Sequence, residues 1–268
     1  VDINGNEQTG TGILALSTFG PVTAGAGYFN NTNLDNSFEL NLSRQLGYNN
    51  TNTGIGTFNQ AIIDGGADMY VATVQGDLDF VKLEAWYAGL QETFNTYTLA
   101  ATSNIDIAEN AKIGLEARYV NLKLKQDAAN DLHAVTNGAV VTDAETKNDM
   151  FRLAVDGKFS IVNARLAYTK TGKNGGLTAL DQDAKNTSLG WAITSNGAVD
   201  ADYFQAALGA DILDNLNFTL HYGKIKAKDQ TNSTKNFAVD LTDYKAQEVY
   251  GQLTYKMSKN LSTYLRYG

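Results

Sequence analysis

Runs of about ten residues in which apolar and polar positions alternate recur along most of the chain. In the run 80–89, for example, Leu83 and Tyr87 belong to one set, and Lys82 and Glu84 belong to the other. Because successive side chains of a strand point to opposite faces, each run predicts a strand with one apolar and one polar face. The predicted strands, about twelve in number, lie at 10–18, 22–29, 67–75, 80–89, 94–103, 112–124, 149–157, 160–170, 201–211, 215–226, 245–257 and 261–268.

The connections between these strands alternate between short and long. Tight connections are predicted at 19–22, 75–80, 103–111, 156–160, 212–215 and 256–260. At the opposite strand ends the connections are long and polar, at 30–66, 125–148, 171–200 and 228–244, with only 90–93 short. Bacterial membrane barrels have short periplasmic turns and long extracellular loops, whereas a soluble β-sandwich has no reason to sort its connections. We therefore predict an all-β fold, a transmembrane antiparallel β-barrel in which residues 1–268 form a single domain.

The composition agrees with a membrane barrel and excludes other classes of protein. The chain has no Cys and one Pro, and no apolar stretch approaches the roughly 18 residues that a membrane-spanning helix needs. Tyrosines at the ends of the apolar faces fit an aromatic girdle at the membrane surface. They are Tyr28, Tyr87, Tyr119, Tyr168, Tyr222, Tyr255 and Tyr267. The net charge of −8 argues against a nucleic-acid ligand, whose phosphates need a basic face.

One strand departs from the simple alternation. In the run 112–124 the apolar phase changes after Tyr119, because Leu122 and Leu124 fall out of phase with the residues before them. The change predicts either a β-bulge or a strand that leaves the membrane at this point.

The sequence at both ends of the chain predicts that the barrel contains further strands. Residues 1–9 have the composition of a polar loop, and the last predicted strand runs outward and needs a returning neighbour. Because bacterial single-chain barrels favour even strand numbers, we expect about 12 strands of a total of roughly 16 to 18, with the rest outside this sequence.

Charged side chains in phase with the polar faces are predicted to line a water-filled lumen. The predicted lining residues are Lys82, Glu84, Glu116, Arg118, Arg152, Asp156, Arg165, His221, Glu248 and Arg266. A cation on the lipid face near the membrane midplane would cost about 2 to 4 kcal/mol, so the phase of these residues favours the lumen. Arg118, Arg152 and Arg165 predict a basic wall that sets a transverse field across a narrow pore. The alternative is that these charges pair with one another and keep the lumen hydrated.

Several local sequences resemble the major outer membrane protein (major porin) family of Campylobacter and related epsilonproteobacteria. The similar segments are Thr9–Ile13, Met69–Ala72, Leu83–Tyr87, Gly114–Tyr119, Arg165–Tyr168 and Gln252–Leu261. The resemblance implies a trimeric porin of about 18 strands with a constriction loop folded into the barrel. The strands predicted here would then be roughly the sixth to the seventeenth, with about five before Val1 and one after Gly268.

The same resemblance places residues 1–9 at the end of the constriction loop. Asp2 and Glu7 would then offer carboxylates opposite the arginine wall. Asp2 could instead join Asp35 and Asp181 in holding a calcium ion, which prefers several oxygen ligands, although the sequence has no EF-hand-like spacing. No other metal and no other cofactor is predicted.

The sequence does not favour an enzyme. Its two histidines are His133, in a predicted loop, and His221, on a polar strand face. No Gly-x-Ser-x-Gly motif is present, and the glycine clusters lack the spacing of a phosphate-binding loop.

The leading hypothesis is a porin of the Gram-negative outer membrane that lets small hydrophilic solutes and ions diffuse passively. It would contact outer-membrane lipid and lipopolysaccharide and assemble as a homotrimer. One alternative is a substrate-specific channel with an aromatic slide, for which Trp86, Tyr203, Tyr250 and Tyr264 are the candidates. The others are an adhesin barrel whose long loops bind another protein, and a soluble all-β protein.

Overall fold

A computed structural model describes residues 9–34, 66–137, 140–180, 185–228 and 245–268. Its strands are β1 (Gly10–Phe19), β2 (Val22–Thr32), β3 (Met69–Asp77), β4 (Lys82–Leu90), β5 (Phe94–Ala108), β6 (Ala111–Leu124), β7 (Lys147–Phe159), β8 (Val162–Thr171), β9 (Asp202–Leu213), β10 (Leu216–Lys226), β11 (Lys245–Ser258) and β12 (Leu261–Tyr267). Within these described residues, one helix, α1 (Gln126–Asn137), lies between β6 and β7.

The strands form one antiparallel sheet in which each strand is hydrogen-bonded to its neighbours in chain order, from β1 to β12. The order and number of strands confirm the sequence prediction. The largest difference is at β5, which continues to Ala108, five residues beyond its predicted end. Tight turns join the strands at one end of the sheet. Gly20 lies in one of these turns, and its φ of 57° suits a residue without a side chain.

The exposure of the two faces is the reverse of that in a soluble protein. The apolar face is open, with Leu99, Leu153 and Leu208 each about half exposed, whereas Arg118 and Arg152 on the polar face are buried. Soluble proteins rarely expose apolar patches of this extent. The apolar face therefore needs a lipid environment, as a membrane barrel has.

Strand β6 contains no bulge at the point where its apolar phase changes. Its pairing with β7 runs without a register shift from Ala111 opposite Phe159 to Lys123 opposite Lys147. The bulge prediction was therefore wrong. The phase changes because the polar face itself becomes apolar near the long connections, where Leu122 and Leu124 are buried.

Those leucines belong to an apolar cluster beneath α1. The cluster is formed by Leu34, Leu90, Phe94, Leu122, Leu124, Ala129, Leu132, Ala144 and Leu177. The helix was not predicted within the long connection 125–148, although its buried Ala128, Ala129 and Leu132 follow helical spacing. No helix among the described residues is long and apolar enough to cross a membrane.

Candidate functional site

A small hairpin from the connection between β8 and β9 lies against the polar face. Leu189 and Thr194 form an isolated antiparallel bridge. The Gly190 amide donates to the Ile193 carbonyl at 2.8 Å, and the Ser195 amide donates to the Ser188 carbonyl at 2.9 Å. We call residues 186–195 the inner hairpin. The connection 171–200 was predicted as an extracellular loop, whereas this part of it contacts the predicted lumen wall.

The base of the inner hairpin is held by Arg152 of β7. Its Nη1 donates to the Thr187 carbonyl at 2.6 Å, and its Nη2 donates to the Lys185 carbonyl at 2.8 Å. Arg118 lies directly opposite Arg152 in the register of β6 and β7, and its Nη1 donates to the Asn186 side chain at 3.4 Å. Arg152 therefore holds the backbone of this short segment, and Arg118 holds the side chain of Asn186.

Glu116 makes this arrangement of like charges possible. Its Oε1 accepts from Arg152 Nη2 at 2.6 Å and from Arg118 Nε at 3.2 Å. Its Oε2 accepts from Arg165 Nη2 at 3.2 Å, while Arg165 Nη1 donates to Asp156 at 2.6 Å. Two carboxylates thus neutralise two of the three guanidinium charges. The remaining positive charge is stabilised by hydrogen bonds from Arg152 to backbone carbonyls at the base of the hairpin.

The expected open wall of arginines is therefore only partly present. Arg118 and Arg152 are 5% and 7% exposed beneath the hairpin. The Arg165 side chain remains 41% exposed. All three arginines pair with carboxylates, as in the alternative, and only Arg165 also keeps a large exposed fraction.

The tip of the inner hairpin is held from the opposite side by Glu248 of β11. Its Oε2 accepts from the Ala192 amide at 2.8 Å, and its Oε1 accepts from the Trp191 amide at 3.2 Å. The Tyr203 hydroxyl is also 3.5 Å from Oε1. A carboxylate that binds two neighbouring amides fixes the direction of the turn.

These contacts agree with a polar face that is concave. Asn186 donates to Thr98 on β5 at 3.0 Å, and six residues later Ala192 binds Glu248 on β11. On a flat sheet β5 and β11 would lie about 29 Å apart. The backbone of six extended residues spans about 21 Å, and side chains supply the rest of the reach, so these contacts are made most easily if the sheet curves around the hairpin.

A cavity of about 270 Å³ remains between the hairpin and the sheet. Arg152 and Arg165 lie on one side of it, and His221, Glu248 and Tyr250 lie on the other. The cavity therefore has walls of opposite charge, a geometry that can orient a small polar solute by its own dipole.

Aromatic side chains continue the wall beyond this cavity. The His221 and Tyr250 rings are stacked, with centroids 4.5 Å apart, and the Trp191 ring meets Tyr250 edge-on at 5.5 Å. The Arg266 guanidinium lies 4.8 Å from the Tyr264 ring. Tyr250 and Tyr264 were two of the four predicted candidates for an aromatic slide. A third candidate, Trp86, lies on β4 and donates to Glu84 at 3.1 Å.

The other predicted site residues lie apart from this cluster or outside the described residues. Lys82 and Glu84 form an ion pair of 3.3 Å on β4. Asp2, Glu7, Asp35 and Asp181 all lie outside the described residues, so the expected constriction-loop acids and calcium ligands stay predictions. Elsewhere in the described chain, no group of three or more acidic or histidine side chains could hold a metal ion.

The inner hairpin was not predicted from the sequence. A signal for it was present, because residues 186–199 contain no Asp, Glu, Lys or Arg although they belong to a long connection. They do contain Leu189, Trp191 and Ile193, and Ile193 is buried. An uncharged segment with large apolar side chains is unusual for a loop that is surrounded by water.

Comparisons with known proteins find similarity at the level of the fold. No family model matches the chain, and no curated protein matches it in sequence. Among solved structures, the outer membrane protein OprD from Pseudomonas aeruginosa is similar with a TM-score of 0.67 and 16% identity, covering 97% of this chain and 62% of OprD. OccAB1 from Acinetobacter baumannii gives a TM-score of 0.69 and 14% identity, covering 97% and 61% of the respective chains.

The fold is thus that of outer-membrane β-barrel porins, as the sequence predicted. The chain spans less than two thirds of the length of these similar structures. They come from Pseudomonas and Acinetobacter, so they support the porin part of the expected resemblance and not its assignment to the Campylobacter family, which stays a prediction.

Proposed function

We propose that this chain forms part of the wall of an outer-membrane channel through which small hydrophilic solutes and ions cross by diffusion. The observation that carries the proposal is the concave, charged face that encloses the inner hairpin and is backed by an exposed apolar face. Such a wall separates water from lipid, and a segment inside it narrows the passage.

In this proposal the inner hairpin is the constriction, and the predicted lining residues face the solute. Arg165 and Glu248 would stand on opposite sides of the narrowest passage, since both border the same cavity. Membership of the epsilonproteobacterial porin family and assembly as a homotrimer are further parts of the proposal, which rest on the local sequence resemblance.

Conductance of the full-length protein in planar lipid bilayers tests the channel. We expect stepwise current increases in salt solution, and a larger unit conductance when residues 187–194 are replaced by a short Gly-Ser linker. A folded, heat-modifiable barrel that inserts into the bilayer and carries no current would contradict the proposal.

A second candidate, a substrate-specific channel, is favoured by the opposite charges around the cavity. A solute with both a carboxylate and an ammonium group could contact Arg165 and Glu248 together. We expect the free amino acid lysine, added as a solute, to block the ion current saturably. Glucose, a neutral solute of similar size, should block the current only weakly. Equal block by the two solutes would favour general diffusion instead.

A further inference from the structure

Lysines on the lipid-facing side of the sheet all lie at one end of the strands. The outward-facing lysines of the described strands are Lys123, Lys147, Lys170, Lys224, Lys226 and Lys245. Each lies within three residues of a strand end that leads into a long connection. At the short-turn end this face is apolar, with residues such as Ile107 and Phe159. If the long connections are extracellular, these lysines lie at the level of the outer-leaflet headgroups.

Three of these lysines form a compact patch on β10 and β11. Lys226 lies directly opposite Lys245, and Lys224 lies two residues from Lys226 on the same face. Like charges directly opposite each other in a sheet are destabilising. In the part of the chain that the structure describes, none of the three forms an ion pair with a carboxylate.

The neighbouring acids are occupied by other partners. Asp202 lies opposite Lys226 in the register of β9 and β10, but its carboxylate binds Lys170 at 3.2 Å and the Tyr168 hydroxyl. Asp200 binds Lys170 and Lys228, each at 2.8 Å. The patch therefore carries positive charge that the surrounding described carboxylates do not neutralise.

The surface beneath the patch is suited to acyl chains. Tyr222 and Leu220 continue the same face of β10 toward the membrane centre, and Phe204 lies opposite Lys224 on β9. Nearer the β1 end of the strand order, the same level of the outer face carries Tyr28 on β2, Tyr70 on β3 and Tyr97 on β5, and no lysine. Outward-facing lysines at this level therefore occur on β6, β7, β8, β10 and β11 but not on β2, β3 and β5, and they are densest on β10 and β11.

We propose that Lys224, Lys226 and Lys245 bind the phosphate groups of a phosphorylated outer-leaflet glycolipid, the lipid A part of lipopolysaccharide. Cations above an apolar surface match a ligand whose anionic headgroup carries several acyl chains, and the phosphates relieve the repulsion between the opposed lysines. The inference rests on the proposed function, because it needs the barrel to lie in the outer membrane with its long connections outside.

The test compares two triple variants of the full-length protein in detergent micelles. K224Q/K226Q/K245Q removes the patch, and K112Q/K158Q/K256Q removes three inward-facing lysines near the short turns as a charge-matched control. Binding of diphosphorylated and dephosphorylated lipid A is measured by native mass spectrometry. We expect the patch variant to bind diphosphorylated lipid A about 10- to 100-fold more weakly, since each lysine near an anionic surface contributes noticeably. The control should bind like the wild type.

Heat-modifiable migration confirms that each variant is folded, and K224R/K226R/K245R, which keeps the charge, should retain binding. Equal weakening in both triple variants, or equal affinity of the wild type for dephosphorylated lipid A, would overturn the proposal. Bilayer conductance of the patch variant separates the two proposals, because loss of lipid binding with intact conductance supports the lipid site independently. Absent conductance in the wild type would count against the channel alone.

Discussion

The two ends of the inner hairpin are held by opposite charges. At its base, the cationic Arg152 donates hydrogen bonds to the backbone carbonyls of Lys185 and Thr187. At its tip, the anionic Glu248 accepts hydrogen bonds from the amides of Trp191 and Ala192. Backbone carbonyls meet a cation and backbone amides meet an anion, so neither contact depends on a charged hairpin side chain.

Burial distinguishes the two ends more than charge does. Arg152 is 7% exposed and is also bound to Glu116, whereas Glu248 is half-buried beside the cavity. Water can replace a partner that is lost at the tip, but not one that is lost at the base. We infer that the base fixes where the hairpin lies, while the tip sets how far it extends into the passage.

Arg152→Met should have the largest effect on stability. It removes a buried cation, leaves two buried carbonyls without their donor and takes one of three guanidinium partners from Glu116, so we expect a loss of about 3 to 5 kcal/mol. Guanidinium unfolding in detergent, followed by tryptophan fluorescence, measures the change. Arg165→Met is the matched control, because its side chain is 41% exposed and should cost less than about 1 kcal/mol. Equal losses in both variants would refute the difference in burial as the cause.

Glu248→Ala should release the tip and leave the base in place. We expect a smaller loss of stability, about 1.5 to 3 kcal/mol, since two hydrogen bonds to a charged group are lost. Single-channel current should become noisier as the hairpin fluctuates. Glu84→Ala is the control, because that carboxylate binds Lys82 and Trp86 and not the hairpin. Quiet current in the Glu248 variant would show that the base alone holds the tip.

The sheet could be predicted from the sequence because its signal repeats with each strand. Alternation predicted the face on which Glu116, Arg152 and Glu248 lie, and the alternating connection lengths predicted that the sheet is a membrane barrel. What it could not give is the contact between residues 186–195 and side chains far away in sequence. Leu122 and Leu124 show the same limit, since they are apolar on a polar face only because α1 covers them.

Gly190→Ala tests whether the tip and Glu248 act as one unit. A Cβ at position 190 would clash with Glu248 Oε1, so the carboxylate must move away from the Trp191 and Ala192 amides. We expect a loss of about 1 to 2 kcal/mol. The double variant G190A/E248A should be only slightly less stable than E248A alone, because the closest clash disappears with the carboxylate and only the contact of the new Cβ with the Tyr203 hydroxyl, at 2.8 Å, remains. Additive losses in the double-mutant cycle would contradict this coupling.

The smallest effect is expected at Asp200, which ties the connection after the hairpin to β8 and to the residues that follow β10. Its carboxylate binds Lys170 and Lys228, each at 2.8 Å. Burial alone would raise the pKa of Asp200, but the hydrogen bonds from the two ammonium groups outweigh it and hold the pKa below its ordinary value. Because the folded-state pKa is lowered, the stabilisation is complete above the ordinary pKa of about 3.9 and is lost as the pH falls through the folded-state pKa.

Asp200→Asn should therefore destabilise the protein by about 1 kcal/mol at pH 7 and by progressively less below pH of about 4. Asparagine tolerates the positive φ of 49° at this position, so the backbone strain stays constant. Unfolding midpoints measured from pH 7 to 3 give the difference, with Asp214→Asn at a short turn as the control. If the destabilisation were instead independent of pH, the ion pairs would not be its source. Asp200 would then stabilise the protein through the geometry of its hydrogen bonds and not through its charge.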